Sequence, residues 1–169
     1  MDNFDKLASL SDIKGIKALK DFMGELGFTD YTITPSIDRY SVWDLRLDLN
    51  DKVILVEVKL RNRKFNTLMM EAKKAKSLTS NLLTEDNKKV YDHWYLNVFK
   101  SGEEPVIFSL NKLRGVEKVI KKGKSTITDT IFTGNYIALC NIKANKTTAM
   151  DNGKIYKACW FIPTTLKIN

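Results

Sequence analysis

Histidine and cysteine are scarce in this sequence, with one histidine and two cysteines among 169 residues. So few nitrogen and sulfur ligands cannot build a zinc site of the usual kind. His93 stands alone, so a catalytic triad has no obvious general base, and we interpret this residue as an ordinary strand histidine. Cys140 and Cys159 lie in apolar, strand-like runs, where we expect buried thiols.

Long apolar runs are missing as well. No stretch approaches the roughly 20 residues of a membrane span, and residues 1–7 lack the basic-then-apolar pattern of a signal peptide. We therefore expect a cytoplasmic protein with no membrane partner. The hydrophobic fraction of 43% and the aromatic fraction of 10% are those of an ordinary globular protein. The length favours one domain, with a core at about 9–110 and a C-terminal β extension at about 111–169.

Positive charge is in excess, because 28 lysines and arginines oppose 20 acids and give a net charge of +8. The basic residues cluster after position 59 and again after position 112. Such clusters suit contact with a phosphate backbone, although a solvated basic face has the same composition. The candidate nucleic-acid-binding residues are Arg61, Arg63, Lys64, Lys73 and Lys74.

Residues 40–63 are predicted to form a β-hairpin around which the rest of the chain is organised. Two runs of strand-forming residues, 42–49 and 53–60, are separated by Asn50 and Asp51. Both residue types tolerate the positive φ of a tight turn. Because side chains alternate between the two faces of a strand, one face of the hairpin is wholly apolar and is expected to lie in the core. Its members are Trp43, Leu45, Leu47, Ile54, Val56 and Val58.

The other face of the hairpin is predicted to bring two acids and a lysine together. Counting the ladder outward from the turn places Asp44 opposite Glu57, with Lys59 on the same face. Directly opposed residues lie about 5 Å apart at Cβ, and carboxylates that close repel unless a cation lies between them or one is protonated. A hard divalent metal with oxygen ligands meets that demand. The alternative is a plain cross-strand cluster of ion pairs on a solvated face.

The spacing acid-x-Lys proves nothing alone, because it occurs four times, beginning at Asp12, Glu57, Glu71 and Asp86. Only the copy at Glu57 lies in a strongly apolar strand and has an acid on the adjoining strand. Asp12 lies on the apolar stripe of a predicted helix. There it is interpreted either as a helix cap, which is the stronger interpretation, or as an acid directed into the site.

The remaining elements complete an α+β protein with a mixed sheet. Helices are predicted at 9–26 and about 67–83. Strands are predicted at 31–34, 91–100, 105–110, 126–132, 136–142 and 155–162. A basic helix or loop at 113–122 and a loop at 143–153 connect the last of these strands.

The element order and the hairpin acids resemble the PD-(D/E)XK nuclease superfamily, which includes restriction endonucleases and Holliday-junction resolvases. The family core is helix, three-stranded meander, helix and strand, so the resemblance covers residues 9–100. The family motifs match Asp44 in V-W-D-L, and Glu57 and Lys59 in V-E-V-K. The literal Pro-Asp is absent, because Trp43 precedes the aspartate, and the Gln-x-x-x-Tyr of RecB-like exonucleases does not occur. The C-terminal tail also looks like that of small phage-encoded nucleases of this group.

The resemblance implies a restriction-endonuclease-like fold and a Mg²⁺-dependent endonuclease acting on DNA, with Mn²⁺ expected to substitute and 5′-phosphate products. It implies that Asp44, Glu57 and the Val58 carbonyl hold the metal, with Asp12 as an additional candidate ligand. Lys59 would then act on the attacking water. Many relatives dimerise, so a homodimer is a further option. The rival interpretation is a non-catalytic nucleic-acid-binding module on the same fold.

Overall fold

The structure is a computed structural model that describes residues 9–38, 40–113, 137–142 and 155–168. These residues group into two compact units. The first contains the described residues up to 64, Ser77–Asn111 and residues 167–168, and the second contains Phe65–Lys76 and the described residues from 112 to 166. No helix in these ranges is both long enough and apolar enough to cross a membrane. The expectation of one domain with a C-terminal extension stays a prediction.

The elements follow one another in an α+β order. They are α1 (Leu10–Glu25), β1 (Thr32–Pro35), β2 (Leu45–Leu49), β3 (Lys52–Arg61), β4 (Thr67–Glu71), α2 (Ala72–Thr79), β5 (Val90–Phe99), β6 (Val106–Ser109), a 3-10 helix (Asn111–Leu113), β7 (Ile137–Ile142), β8 (Ile155–Pro163) and a second 3-10 helix (Thr164–Leu166). The order implied by the family resemblance is therefore present, with β4 inserted before α2.

The first unit is built on a five-stranded sheet in the order β1-β2-β3-β5-β6. Neighbouring strands run antiparallel except β3 and β5, which run parallel. The predicted α+β class with a central mixed sheet is thus confirmed. The hairpin register is confirmed as well, because Leu49 pairs with Lys52 and Arg46 with Leu55. Asn50 in the turn has a φ of 55°, as a tight hairpin turn requires.

Helix α1 begins at Ser9 with a capping box. The Asp12 N–H donates to Ser9 Oγ at 3.2 Å, and the Ser9 N–H donates to Asp12 Oδ2 at 3.2 Å. The helix ends just before Gly27, whose φ of +81° suits the residue that follows a helix C-terminus. On its buried face, a Cβ added to Gly15 would lie 2.9 Å from Val58 Cγ2. The first turns of α1 therefore pack directly on the middle of β3.

The core of the first unit lies between α1 and the facing side of the sheet. The hairpin contributes Leu45, Leu47, Ile54, Val56 and Val58 to it, as predicted. Phe22 of α1 meets Trp94 of β5 edge-on, with ring centroids 5.8 Å apart. The prediction that Trp43 joins this core is wrong. Trp43 precedes β2, is only half-buried, and lines a cavity with Arg46 and Leu55, whose side chains point away from α1.

The second unit contains a three-stranded antiparallel sheet in the order β4-β8-β7. The predicted helix at 67–83 is wrong at both ends, because Thr67–Glu71 is a strand and α2 ends at Thr79. Leu68 and Met70 are buried in alternation and pair with β8. A distant partner strand thus decides the conformation of a segment whose local pattern is helical.

Other sequence predictions fall on residues outside the described ranges. These are the strand at 126–132, the loop at 143–153 and most of the basic helix or loop at 113–122. The predicted strands at 136–142 and 155–162 correspond to β7 and β8. The side chains of Cys140 and Cys159 are not among those described, so their burial stays a prediction.

Candidate active site

Asp44 lies at an irregularity where β2 meets β3. Its N–H donates to the Val56 carbonyl at 2.9 Å, although the strand register places Val56 opposite Leu45. The regular ladder therefore ends at Leu45, and Asp44 bonds to β3 outside it. The Asp44 side chain turns toward β3, where Oδ2 accepts a hydrogen bond from the Val58 N–H at 2.8 Å. Asp44 thus contacts the backbone on both sides of Glu57, although not as the regular ladder pair that the sequence predicts.

The Asp44 carboxylate bonds to the edge of β3 that faces β2, beyond the last pair of the ladder. Strand pairing of β2 with β3 ends at Leu45 and Val56, and the Val58 N–H bonds to the Asp44 side chain instead of to a strand carbonyl. The N–H and C=O of one residue in a strand point to the same edge. Because the Val58 N–H faces Asp44, the Val58 carbonyl faces that edge too. Its role as a metal ligand stays a prediction.

Glu57 and Lys59 follow one another on the face of β3 turned away from α1. Val56 and Val58 pack in the core with α1, so the alternation of side chains directs Glu57 and Lys59 to the opposite face. Glu57 is buried, with 4% of its surface exposed, whereas Lys59 is exposed. A carboxylate buried this deeply needs compensating charges or donors. A lysine two residues along the same face can supply one part of that compensation.

Asp12 is buried at the start of α1, one helical turn before Gly15. Residues three apart lie on the same face of a helix, and Gly15 rests on Val58. Asp12 therefore lies on the face of α1 that covers β3 at Val58, the residue bound by Asp44. Its carboxylate takes part in the capping box with Ser9, so the capping role favoured from sequence is present. A ligand role for Asp12 stays a prediction.

Arg61 is held in a fixed orientation by two residues of β5 that the sequence analysis does not single out. Its Nε donates to Asn97 Oδ1 at 2.8 Å, and its Nη2 donates to the Tyr95 hydroxyl at 2.8 Å. In the parallel register Tyr95 lies beside Glu57, and Asn97 lies beside Lys59. Tyr95 and Asn97 lie two apart, so alternation places them on one face of β5, but this strand also carries Tyr91, Asp92 and His93, and the sequence does not set the pair apart. Their proximity to Arg61 requires the β3–β5 register, which a single sequence does not give.

The other predicted phosphate-binding residues are spread over both units. Arg63 is exposed, and the Lys64 N–H donates to Glu103 Oε2 at 2.7 Å. The Ser101 hydroxyl and then this N–H hold the pKa of Glu103 below its ordinary value. Lys73 and Lys74 are exposed on α2 in the second unit. Whether the four bind one nucleic acid stays a prediction.

A second charged cluster surrounds Arg46 on β2. Its guanidinium donates to both oxygens of Asp48 at 2.8 and 2.9 Å and to both oxygens of Asp86 at 2.8 and 3.1 Å. The hydrogen bonds that Arg46 donates to Asp86 and then to Asp48 raise the pKa of Arg46 above its ordinary value. The Arg46 guanidinium and the Thr84 hydroxyl lower the pKa of Asp86. Two carboxylates therefore neutralise the positive charge of Arg46.

His93 is buried on β5 and has partners for both ring nitrogens. Nδ1 lies 2.9 Å from Asn111 Oδ1, and Nε2 lies 2.7 Å from the Asn81 carbonyl oxygen. These bonds tie two loops to β5. They agree with the interpretation of His93 as a structural residue.

The oxygen donors next to Val58 fit a hard divalent cation. The hydrogen bond from Val58 uses Oδ2 of Asp44, and Oδ1, the Glu57 carboxylate and the Val58 carbonyl are hard oxygen ligands of the kind that Mg²⁺ prefers. Among the described residues, no three His, Cys, Asp or Glu side chains form a group that could hold a metal. Mg²⁺ needs fewer, because it keeps several waters and is held by one or two carboxylates together with substrate phosphates. These residues therefore fit an ion that binds with the substrate rather than in an all-protein cage.

The chain is similar to Hjc, a Holliday junction resolvase from the archaeal hyperthermophile Archaeoglobus fulgidus, with 15% identity and a TM-score of 0.41. The similarity covers 62% of this chain and 80% of the resolvase chain. No family model and no curated protein matches.

Proposed function

We propose that the chain is a metal-dependent nuclease that hydrolyses phosphodiester bonds within DNA. The observation that carries the proposal is the contact of Asp44 with the backbone on both sides of Glu57, with Lys59 exposed two residues further along the same strand. Two carboxylates, a carbonyl and a lysine at one point of a mixed sheet are the groups that metal-assisted phosphodiester hydrolysis needs.

Asp44, Glu57 and the Val58 carbonyl would hold the metal, and Asp12 is the candidate for a further ligand. When bound, a divalent ion polarises the scissile phosphate and lowers the pKa of a bound water. The Val58 N–H fixes the Asp44 carboxylate before any ligand arrives, so the site loses little conformational freedom on binding. Lys59 would orient the attacking water and offset the charge that develops on the phosphate oxygens.

Arg61 would bind a phosphate next to the scissile one. Tyr95 and Asn97 fix two of its donors, and an oriented guanidinium suits a phosphate better than a mobile one does. Arg63, Lys64, Lys73 and Lys74 would add backbone contacts. The expectations of Mg²⁺ as the ion, Mn²⁺ as a substitute, and a homodimer as the cleaving form are parts of this proposal.

The test is cleavage of supercoiled plasmid, linear duplex, branched and single-stranded DNA, with Mg²⁺ or EDTA. We expect Lys59→Ala to reduce cleavage about 10²-fold or more while DNA binding is retained, because Lys59 acts in the transition state. Lys52→Ala is the matched control, since Lys52 is an exposed lysine at the other end of the same strand. The rate at which Lys52→Ala cleaves DNA should equal that of the unmodified protein.

Asp44→Asn separates the charge of this side chain from its structural role. An asparagine amide oxygen still accepts the Val58 N–H, so the fold should persist, whereas the loss of negative charge weakens metal binding. We therefore expect loss of cleavage at low Mg²⁺ and partial recovery at high Mg²⁺. Cleavage by Asp44→Asn at the unmodified rate and Mg²⁺ requirement would contradict the proposed ligand role.

A non-catalytic nucleic-acid-binding module is the second candidate. Its support is the excess of lysine and arginine over acids, which suits a phosphate backbone whether or not the chain cleaves it. In that case no DNA form is cleaved with any divalent ion, DNA binding persists, and Asp44→Asn tightens binding by removing a negative charge.

A further inference from the structure

A cavity of about 420 Å³ opens beside the candidate active site, on the first unit. Trp43, the residue immediately before Asp44, is half-buried and belongs to the lining. Pro35, Val42, Leu55 and Leu83 supply further apolar wall. The volume lies within the range of small-molecule sites, roughly 300–1,000 Å³. A flat aromatic group could therefore enter and contact the Trp43 ring.

The charges around the cavity disfavour an anionic occupant. Arg46 is a cation in the lining, but it is neutralised by Asp48 and Asp86. Asp38 and Glu85 also line the cavity and add negative charge. A phosphate would meet these carboxylates at close range and be repelled. The lining therefore suits a neutral, flat group with polar edges.

The mouth of the cavity carries apolar side chains that remain in water. Ile37 is 84% exposed and Leu83 is 63% exposed, and both contribute to the lining. Removing such surface from water is favourable by about 25 cal/mol per Å². An occupant that covers Ile37 and Leu83 at the mouth would therefore gain binding free energy from the apolar surface it removes from water.

We propose that this cavity takes one unpaired base of the nucleic-acid substrate, stacked on Trp43. The proposal rests on the proposed function, because the phosphate of a neighbouring nucleotide would lie at Asp44. A nucleobase is neutral and flat, has polar edges, and stacks on aromatic side chains when it is released from its helix. The substrate class is therefore DNA with an unstacked base beside the scissile phosphate, such as a bulge, flap or branch, rather than a regular duplex.

The experiment measures dissociation constants by fluorescence anisotropy in EDTA, so that binding is separated from cleavage. Three short DNAs are compared: a regular duplex, the same duplex with one unpaired adenine, and the same bulge with an abasic site in place of the adenine. We expect the unmodified protein to bind the adenine bulge about tenfold more tightly than the abasic bulge, the size of one base–aromatic stack. Equal affinity for the two bulges would overturn the proposal.

Variants tie the preference to the cavity. Trp43→Ala should bind both bulges equally, whereas Tyr91→Ala, which removes an aromatic ring that is 59% exposed on β5, should keep the tenfold preference. A preference that survives in Trp43→Ala would overturn the proposal. If circular dichroism shows that Trp43→Ala is unfolded, Ile37→Ser replaces it as the test of the proposal. Ile37 is exposed, so the fold should tolerate the change, and the variant should show a base preference reduced several-fold. An undiminished preference in Ile37→Ser would then overturn the proposal.

Two further results distinguish this proposal from the proposed function. A base preference without cleavage of any DNA in Mg²⁺ would support the cavity assignment and contradict the nuclease. Cleavage that is equally fast on regular and bulged duplexes, without a binding preference, would support the nuclease and contradict the cavity assignment. If Trp43→Ala leaves DNA binding unchanged but abolishes self-association in sedimentation, the cavity takes a second copy of this chain and the base proposal is overturned.

Discussion

Replacing Gly15 by alanine tests the close packing of α1 on the strand that carries the candidate site. The added Cβ would lie 2.9 and 3.0 Å from the two methyl carbons of Val58 and 3.3 Å from Leu45 Cδ1. Val58 is β-branched and buried, so its methyl groups cannot swing aside without changing χ1. Alanine in a helix interior gains roughly 1 kcal/mol over glycine, whereas overpacking a core costs roughly 1–3 kcal/mol. The net expectation is a destabilisation of about 1 kcal/mol.

Gly24→Ala is the matched control, because it makes the same chemical change in the same helix. Within the part of the chain that the structure describes, no atom outside the helix backbone and the neighbouring residues lies within 4 Å of the Cβ that this variant adds, so only the helix-propensity gain remains. Urea unfolding followed by circular dichroism should therefore separate the two variants by about 1–3 kcal/mol, with Gly24→Ala the more stable. If Gly15→Ala is as stable as Gly24→Ala, α1 does not pack on Val58 as closely as described, and the placement of Asp12 near Asp44 loses its basis.

Two further outcomes are expected. The pKa of Asp86 is lowered by Arg46 and Thr84, so this carboxylate stabilises the fold above about pH 4 and loses its contribution as the pH falls further. In Asp86→Asn, the free energy of unfolding, followed by urea midpoints, should therefore fall less steeply between about pH 4 and pH 2. An unchanged slope would refute this link between Asp86 and stability. Replacing Lys73 and Lys74 together by alanine should weaken nucleic-acid binding and reduce the slope of log K against log salt by about two; an unaltered slope would mean that these lysines only solvate α2.

Predictions that depend on neighbouring residues in the sequence agree with the structure. The hairpin register is correct because a two-residue turn and a period of two determine it together. Helix α1 begins at Ser9 and ends before Gly27 because capping residues act on the nearest turn. The same reasoning places Glu57 and Lys59 on one face of β3, as alternation along a single strand requires.

Predictions that depend on distant partners do not follow from the sequence in the same way. Thr67–Glu71 forms a strand because β8 pairs with it, and β8 lies about ninety residues later in the chain. The orientation of Arg61 depends on the parallel register of β3 with β5. Since alternation and helical spacing describe single elements, they carry no information on such pairings.

The position of Asp44 outside the β2–β3 ladder is the remaining feature that the sequence does not predict, and it links the candidate active site to the cavity. In a continued ladder Trp43 would share the core face with Leu45, and Asp44 would oppose Glu57 without reaching the Val58 N–H. Because the ladder ends at Leu45, alternation does not determine the two residues before it; Trp43 lines the cavity and Asp44 bonds to Val58. A base and its phosphate are joined by one sugar, and residues 43 and 44 are neighbours. The two proposals therefore require a single substrate geometry, in which the base on Trp43 belongs to a nucleotide adjoining the bond that is cut.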